Sequence, residues 1–553
     1  MALLIDLFGY LSVVLHGFTV TAQSVAVGGV LFVVLLARPF AERLVRGEAL
    51  LAAVTRIALA GALALILCDA LVLALQGAVL VGTLGVSPVS VLGAAFARAL
   101  LVKMALAAVM VVLLWFGHVG RPGIAGAIAL LVAAGVELAA ATLTTHAAAR
   151  LTGQVPLLVA EWFHQFGAAI WIGGLPCFLA ALALVRDAEG WRLVGARFSR
   201  MSMLGVLCIV GSAVVMWDAY VGDLAGEYGT AYGVMVSAKI AMFLALLGFG
   251  LGNFLTVAAL GRGPGVSVLR MRRFAEVEFG IGITIFFAAA SLTSVPPAVD
   301  LAQDRVSWQE IVARNWPVVP RLSSPDHDAL AQSELQAQLD AEAARTARLP
   351  QPAFVPGDGS IAPRNAADIA WSEYNHHWSG IFVLVIGLLA LADRAGLRAA
   401  RHWPLLFLLM AGFLAFRGDP EVWPMGSIGL FESLRDVEVL QHRVFTLLIV
   451  LFVLFEWRVR TSPGRHPKAA LVFPLITALG AALLLTHTHA IANLHDQLLI
   501  EITHTPLALA GVAAGWARWL ELRLPGRGGR IAGWVWPLAL VLVGLILLDY
   551  REA

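Results

Sequence analysis

The sequence predicts an all-α, polytopic membrane protein, a helical bundle of about 14 transmembrane helices. Three observations carry that expectation. Of the 553 residues, 60% are hydrophobic and 13% charged, against roughly 25% charged in a soluble domain. Apolar runs of about 20 residues, the length that crosses a bilayer, recur from end to end. Arg and Lys gather in every second loop, as they do in loops held on the cytoplasmic side. Together these exclude a soluble multidomain chain, a disordered chain, a coiled coil and a secreted disulfide scaffold. The net charge of +2 gives no footing for a nucleic-acid partner. Cys68, Cys177 and Cys208 lie within apolar runs, as small buried residues.

The first run, residues 7–37, has no basic leader and is too long for a signal-peptide core, so it reads as a span. Further runs follow at 50–76, 93–117, 122–144, 155–185, 201–221, 231–261 and 274–295. After a hydrophilic stretch come 376–393, 403–417, 438–457, 469–487, 497–518 and 531–549. The short run at 403–417 counts as a span, because only then does the charge alternation persist to the end. Arg38, Arg43 and Arg46 follow the first span, Arg186 and Arg192 the fifth, and Arg270 and Arg272 the seventh. Arg394 and Arg398, Arg458 and Arg460, then Arg523 and Arg527 continue the series, whereas Asp223, Glu227, Asp419 and Glu421 occupy loops between. Both termini then lie outside. Residues 299–372 read as a mobile outer linker, with a surface helix over Ala329–Leu349 followed by a Pro/Gly-rich piece. The chain divides into an eight-helix membrane domain at 1–298, this linker, and a six-helix His-rich membrane domain at 373–553.

The eight-helix domain reads as a 4+4 tandem repeat, about 1–150 and 151–298. Ala139-Ala-Ala-Thr-Leu-Thr144 matches Ala288-Ala-Ala-Ser-Leu-Thr293. Gly28-Gly29 matches Gly173-Gly174, Arg56 with Gly61 matches Arg200 with Gly205, and Lys103 matches Lys239, all in the same order. An even number of spans per copy implies a pseudo-twofold axis along the membrane normal, where transporters often place their site. His16 and His164 fall in the first helix of each copy at similar depth.

Polar side chains inside a membrane are costly and point into a bundle or cavity. His16, His146, His164, His376, His377, His442, His487, His489, His495 and His504 all fall in outer halves of spans or at outer rims. Several have a carboxylate one helical turn away: Glu161 with His164, Glu373 with His377, Glu438 with His442, and Glu501 with His504. Such a carboxylate orients an imidazole as a metal ligand or binds the metal itself; the plainer reading is a hydrated membrane rim. Thr-His487-Thr-His489 and His495 end one span and lead to the next, so with His442 and His504 they can meet in one outer vestibule. Neutral imidazole suits copper, zinc, iron or haem iron. The expected metal ligands are His16, Glu161, His164, His376, His377, His442, His487, His489, His495 and His504. Lys103 and Lys239 sit too deep to snorkel comfortably, and either pair with Asp69, Glu137 or Asp218 or gate a pathway.

The stretch Glu161-Trp-Phe-His164, Ala168-Ala-Ile-Trp171-Ile-Gly-Gly174, Arg197-Phe-Ser-Arg200, Thr230-Ala-Tyr-Gly233, Lys239 and Val295-Pro-Pro-Ala298 resembles the copper-resistance D (CopD) family of bacterial inner-membrane proteins. The resemblance covers about 140–300 best and the N-terminal copy less well. It implies a plasma-membrane protein that moves copper between periplasm and cytoplasm and works with periplasmic copper carriers; Lys103, Lys239 and Trp171 are the candidate pathway or gating residues. Two departures stand out: there is no methionine-rich collecting segment and no Cys-x-x-Cys. Copper capture then rests on imidazoles.

Two function classes fit. The first is a copper importer, not an enzyme, with both termini periplasmic. It carries no Gly-x-x-x-x-Gly-Lys-Ser/Thr loop for ATP, and is driven by a gradient, the membrane potential or a partner. The second is a b-type haem cytochrome or metalloreductase, with histidines such as His442 and His504 ligating haem b from facing helices. A di-iron site built on the two Glu-x-x-His pairs lacks the bridging glutamates such a centre needs.

Overall fold

The computed structural model describes residues 2–119, 123–150, 153–260, 267–327, 366–426, 428–462, 464, 467–486 and 494–552. The helix expected at Ala329–Leu349 and the Pro/Gly-rich piece after it lie outside the described residues, as do His487 and His489 and the side chain of His495.

Thirteen described helices are long and apolar enough to cross a membrane, and a fourteenth apolar helix is shorter. In chain order they are α1 (Phe8–Phe40), α2 (Gly47–Leu84), α3 (Ala95–Phe116), α4 (Ile124–Thr142), α5 (Gln154–Leu184), α6 (Ala188–Tyr220), α7 (Ala231–Leu260), α8 (Val268–Leu292), α9 (Ile369–Arg394), α10 (Arg398–Arg417), α11 (Val437–Thr461), the short α12 (Ala469–Leu484), α13 (Leu498–Arg523) and α14 (Arg527–Leu548). Each coincides with one predicted run, the short 403–417 included. Among the described residues the only β-pairing is an isolated bridge between Val422 and Ile428. A helix closes every backbone hydrogen bond within itself, which is why apolar runs of this length fold so in lipid. Leu63, Leu67, Leu71, Leu207, Val214 and Leu244 point out of the protein, as lipid-facing side chains do. The protein is a multi-pass membrane protein.

The described chain forms two compact units. One comprises residues 3–223 and 239–299, the other residues 224–238 and 300–553. In the first, α1 and α5 cross at their glycine pairs. A Cβ on Gly28 would lie 2.2 Å from the Ala169 carbonyl oxygen, and one on Gly173 would lie 1.9 Å from that of Ser24. Only glycine permits this approach, the close contact that packs membrane helices. Gly61 on α2 meets the backbone of α1 at Ala26, and Gly205 on α6 meets that of α5 at Gly167. Arg56 and Arg200 each donate from Nε to the carbonyl four residues earlier. Both α1 and α5 carry a turn of π-helix, over Val33–Ala37 and Ala169–Gly173, a feature frequent at functional sites.

In the second unit α9 packs along α14 through Gly380, Gly387 and Gly544. Its core joins Ile386, Trp403, Phe407, Phe452, Val453, Phe473 and Trp536 from five helices. The start of the expected linker is anchored to this unit. Ser307 and Glu310 form a capping box at the head of the helix Trp308–Arg314, the Arg314 guanidinium donates to the Arg551 carbonyl, the Val318 N–H donates to Asp549 (3.1 Å), and the Trp378 indole donates to the Leu322 carbonyl (3.1 Å). Low hydrophobicity suggests mobility there; polar contacts to the helix ends fix it.

Candidate functional site: imidazoles and buried charges in two helical units

In the first unit two lysines each lie near buried polar groups of neighbouring helices. Lys103 Nζ on α3 donates to Asp69 on α2 at 2.9 Å, with both side chains buried. This is the pairing alternative the sequence offers for Lys103. Glu137 on α4 and His16 on α1 lie within electrostatic reach of Lys103, and His146 within reach of His16. Lys239 on α7 is set the same way toward Glu161 and His164 on α5. Each lysine therefore stands with an acid and a histidine.

The hydrogen bonds described for Glu161 and His164 run to other groups rather than to each other. Glu161 accepts from Gln165 (3.0 Å), which in turn accepts from Gln23 of α1 (2.9 Å). His164 Nδ1 meets Ser212 Oγ (3.1 Å), whose own proton goes to the Cys208 carbonyl (2.7 Å). The ring must then be the donor, which leaves the lone pair of the neutral imidazole on Nε2.

The second unit repeats this chemistry. His376 Nδ1 donates to the Ser372 carbonyl (2.9 Å) and His504 Nδ1 to the Ile500 carbonyl (3.0 Å), each the acceptor four residues back in its own helix. Again Nε2 carries the lone pair. Tyr550 stacks on His376 with ring centres 3.7 Å apart and meets His504 edge-on at 5.8 Å; the two imidazoles are 5.9 Å apart. The Tyr550 hydroxyl donates to Glu552 (2.8 Å), which also accepts from Ser372. The residues after α14 thus close over this pair, which their position in the sequence gives no reason to expect.

Two expected ligands have other work. His377 is buried, accepts the Arg321 N–H on Nδ1 (2.7 Å) and donates from Nε2 to the Tyr550 carbonyl (2.9 Å). With both nitrogens held by main chain it has no lone pair for a metal, and Glu373, its supposed partner, pairs with Arg321 (3.1 Å). His442 Nδ1 pairs with Asp419 (2.7 Å), from the loop before α11. Glu501 accepts from Thr505 (3.3 Å). Among the described residues no group of three or more His, Cys, Asp or Glu side chains is placed to hold a metal ion.

Sequence reading misses two buried clusters. Glu278 on α8 accepts from the Trp171 indole (3.2 Å) and from Asn253 of α7, so Trp171 holds a buried carboxylate. At the other end of the second unit's helices, Arg518 bridges Glu456 (2.9 Å) and Glu521 (2.6 Å), Arg394 pairs with Glu521 (2.8 Å), and Arg460 joins Glu456 (2.7 Å) and Asp393. The Trp536 indole donates to Glu521 (2.7 Å), and Arg460 lies over Trp403 and Trp536. An acid within an apolar run is the available signal for Glu456, and the second of two acids, Glu276 and Glu278, leading into one is the signal for Glu278.

Residues 192–292, from α6 to the end of α8, match the family model described as Copper resistance protein D, CopD. The chain carries a CopD region. It includes Lys239, Asn253 and Glu278. Over 167 residues the chain is also 30% identical to the copper transport protein CutJ of Bacillus subtilis (strain 168), an alignment that covers 29% of this chain and 29% of that protein. No solved structure matches the chain. The CopD match ends at residue 292, so α9–α14 and their histidines lie beyond it.

Proposed function

We propose that this protein carries copper across the bacterial inner membrane, as an importer from periplasm to cytoplasm, with imidazole nitrogens as the ligands along the way. The CopD region and the partial likeness to a copper transport protein support copper as the cargo. One observation supports imidazole ligation above the rest: His164, His376 and His504 all donate Nδ1–H to a protein oxygen. That arrangement fixes the ring and its tautomer, with the lone pair on Nε2, as the outer hydrogen bond of a metal-bound histidine does. His376 and His504 form a capture pair beneath Tyr550, and His487, His489 and His495 are further candidate ligands. His16 and His164, one in each half of a 4+4 repeat, form the transfer level. A periplasmic copper carrier supplies the ion, both termini are periplasmic, and the protein is not an enzyme. The shared glycine crossing of α1 and α5 supports the repeat.

Cells producing the His376→Ala/His504→Ala double variant should accumulate at least about tenfold less copper than cells producing the wild type at equal membrane abundance, measured by elemental analysis. Unchanged accumulation refutes the capture site. A visible spectrum of purified protein tests the haem alternative: a Soret band lost in the His442→Ala/His504→Ala variant would replace copper capture by a cytochrome function.

A further inference from the structure

We propose that Glu278 is a buried proton-binding site of the first unit, with Asn253 and Trp171 arranged around it so that the carboxyl is held in both its ionised and its protonated form. None of the three is a proposed copper ligand, so the inference stands apart from the copper reading. Glu278 of α8 and Asn253 of α7 are 2% and 8% exposed. The carboxylate accepts from Asn253 Nδ2 on one oxygen and from the Trp171 indole of α5 on the other (3.2 Å). Both donors are neutral. Among the described residues no charged group bears on it. Arg272 and Arg273 of its own helix pair with Glu276, and Arg270 donates to Thr256 of α7 (2.8 Å). Lys239 of α7 is set toward Glu161 and His164 of α5, and His16 of α1 toward Lys103. A buried anion without a counter-charge is costly, and a bound proton removes that charge without moving a helix.

Asn253 lets the same cage serve both states. Its Oδ1 is buried and has no hydrogen-bond partner among the described residues, so the amide is tied at Nδ2 alone. A half-turn about the last side-chain bond exchanges oxygen for nitrogen at nearly the same place. With the carboxylate ionised, Asn253 Nδ2–H donates to Glu278 Oε1, as the structure has it. With the acid protonated, Glu278 Oε1–H donates to Asn253 Oδ1. The Trp171 indole can only donate, and it keeps its bond to Oε2 in both. One amide atom is left over either way, so the count of hydrogen bonds favours neither orientation. The proton is taken from water as one O–H bond and returned to water on release; no other covalent bond changes and no electron moves. Trp171 belongs to the π-helical turn of α5, and such turns recur at functional sites. Carboxyls buried in this way make up the proton relays of pumps and transporters.

Infrared difference spectra between acid and alkaline pH, taken on the full-length protein in lipid nanodiscs, read both groups. The wild type should lose a carboxylic-acid carbonyl band as pH rises, together with a shift of one side-chain amide carbonyl band. Glu278→Gln should abolish both changes. Asn253→Leu should abolish the amide shift and move the acid band, Trp171→Phe should move the acid band to higher frequency, and Glu137→Gln should leave both in place. The proposal is overturned if Glu278→Gln removes no band, or if the band it removes persists at every pH at which the protein stays folded. A titrating band with no amide shift overturns the part given to Asn253. Should Glu278→Gln not fold, Glu278→Asp decides: the titrating acid band must change frequency, and an unmoved band refutes the assignment.

Discussion

At the scale of single residues, many polar groups inside these helices find near neighbours, and which neighbour is used decides what each such group can do. His376 and His504 turn to carbonyls of their own helices, a choice that spends Nδ1 as a donor and puts the lone pair on Nε2. His377, one residue from His376, spends both. The sequence makes these three look alike, because spacing reports the face of a helix and not the acceptor the ring finds there. Lys103 is legible as an intramembrane charge needing a partner, and Asp69 is among the candidates its depth allows. Removing one member of such a buried pair strands the other, at about 3–5 kcal/mol. Lys103→Met should therefore destabilise the protein by that order, and Lys103→Met with Asp69→Asn by much less, as read from denaturation in detergent. Equal losses in the two variants would mean that the pair does not hold the helices.

At the scale of elements, helix positions are readable almost entirely, since in lipid an apolar run of sufficient length has one backbone solution. Their crossings are not. The double glycines read as a repeat, yet that Gly28 and Gly173 press backbone to backbone depends on which helices meet, and composition does not encode this. Gly28→Val inserts carbon 2.2 Å from where the Ala169 carbonyl oxygen already stands. Overpacking costs about 1–3 kcal/mol where side chains can give way; here the obstacle is main chain, so the loss should reach the upper end, with a lower unfolding temperature. Gly211→Val, which meets nothing within 4 Å, should be tolerated. The head of α11 gives a pH test. Asp436 caps it by accepting the Glu438 and Val439 N–H groups, and burial raises its carboxyl above the ordinary aspartate range. A raised acid binds its proton more tightly folded than unfolded, so its contribution is greatest at low pH and declines as pH passes the unfolded value toward the folded one. Asp436→Asn keeps the cap without the charge. Its stability relative to the wild type should rise from acid to neutral pH and then level off; a constant difference would remove Asp436 as a titrating group.

At the scale of the molecule, the alternation of basic loops sets an orientation that can be checked. Single cysteines introduced at Arg43, Arg192 and Arg458 in a cysteine-free background should react with a membrane-impermeant maleimide only after the membrane is opened, and cysteines at Asp223 and Glu421 without opening. The reverse pattern would invert the proposed import geometry. What the sequence leaves unread at this scale is where charge comes to rest once the helices assemble. The cluster of Arg394, Arg460 and Arg518 with Asp393, Glu456 and Glu521 holds as many positive as negative members. A voltage across the bilayer does work on a moving part in proportion to the charge that part carries, about 2.3 kcal/mol per elementary charge per 100 mV. A balanced sextet is electrically silent: if the C-terminal helices shift as a body, this cluster draws nothing from the resting potential.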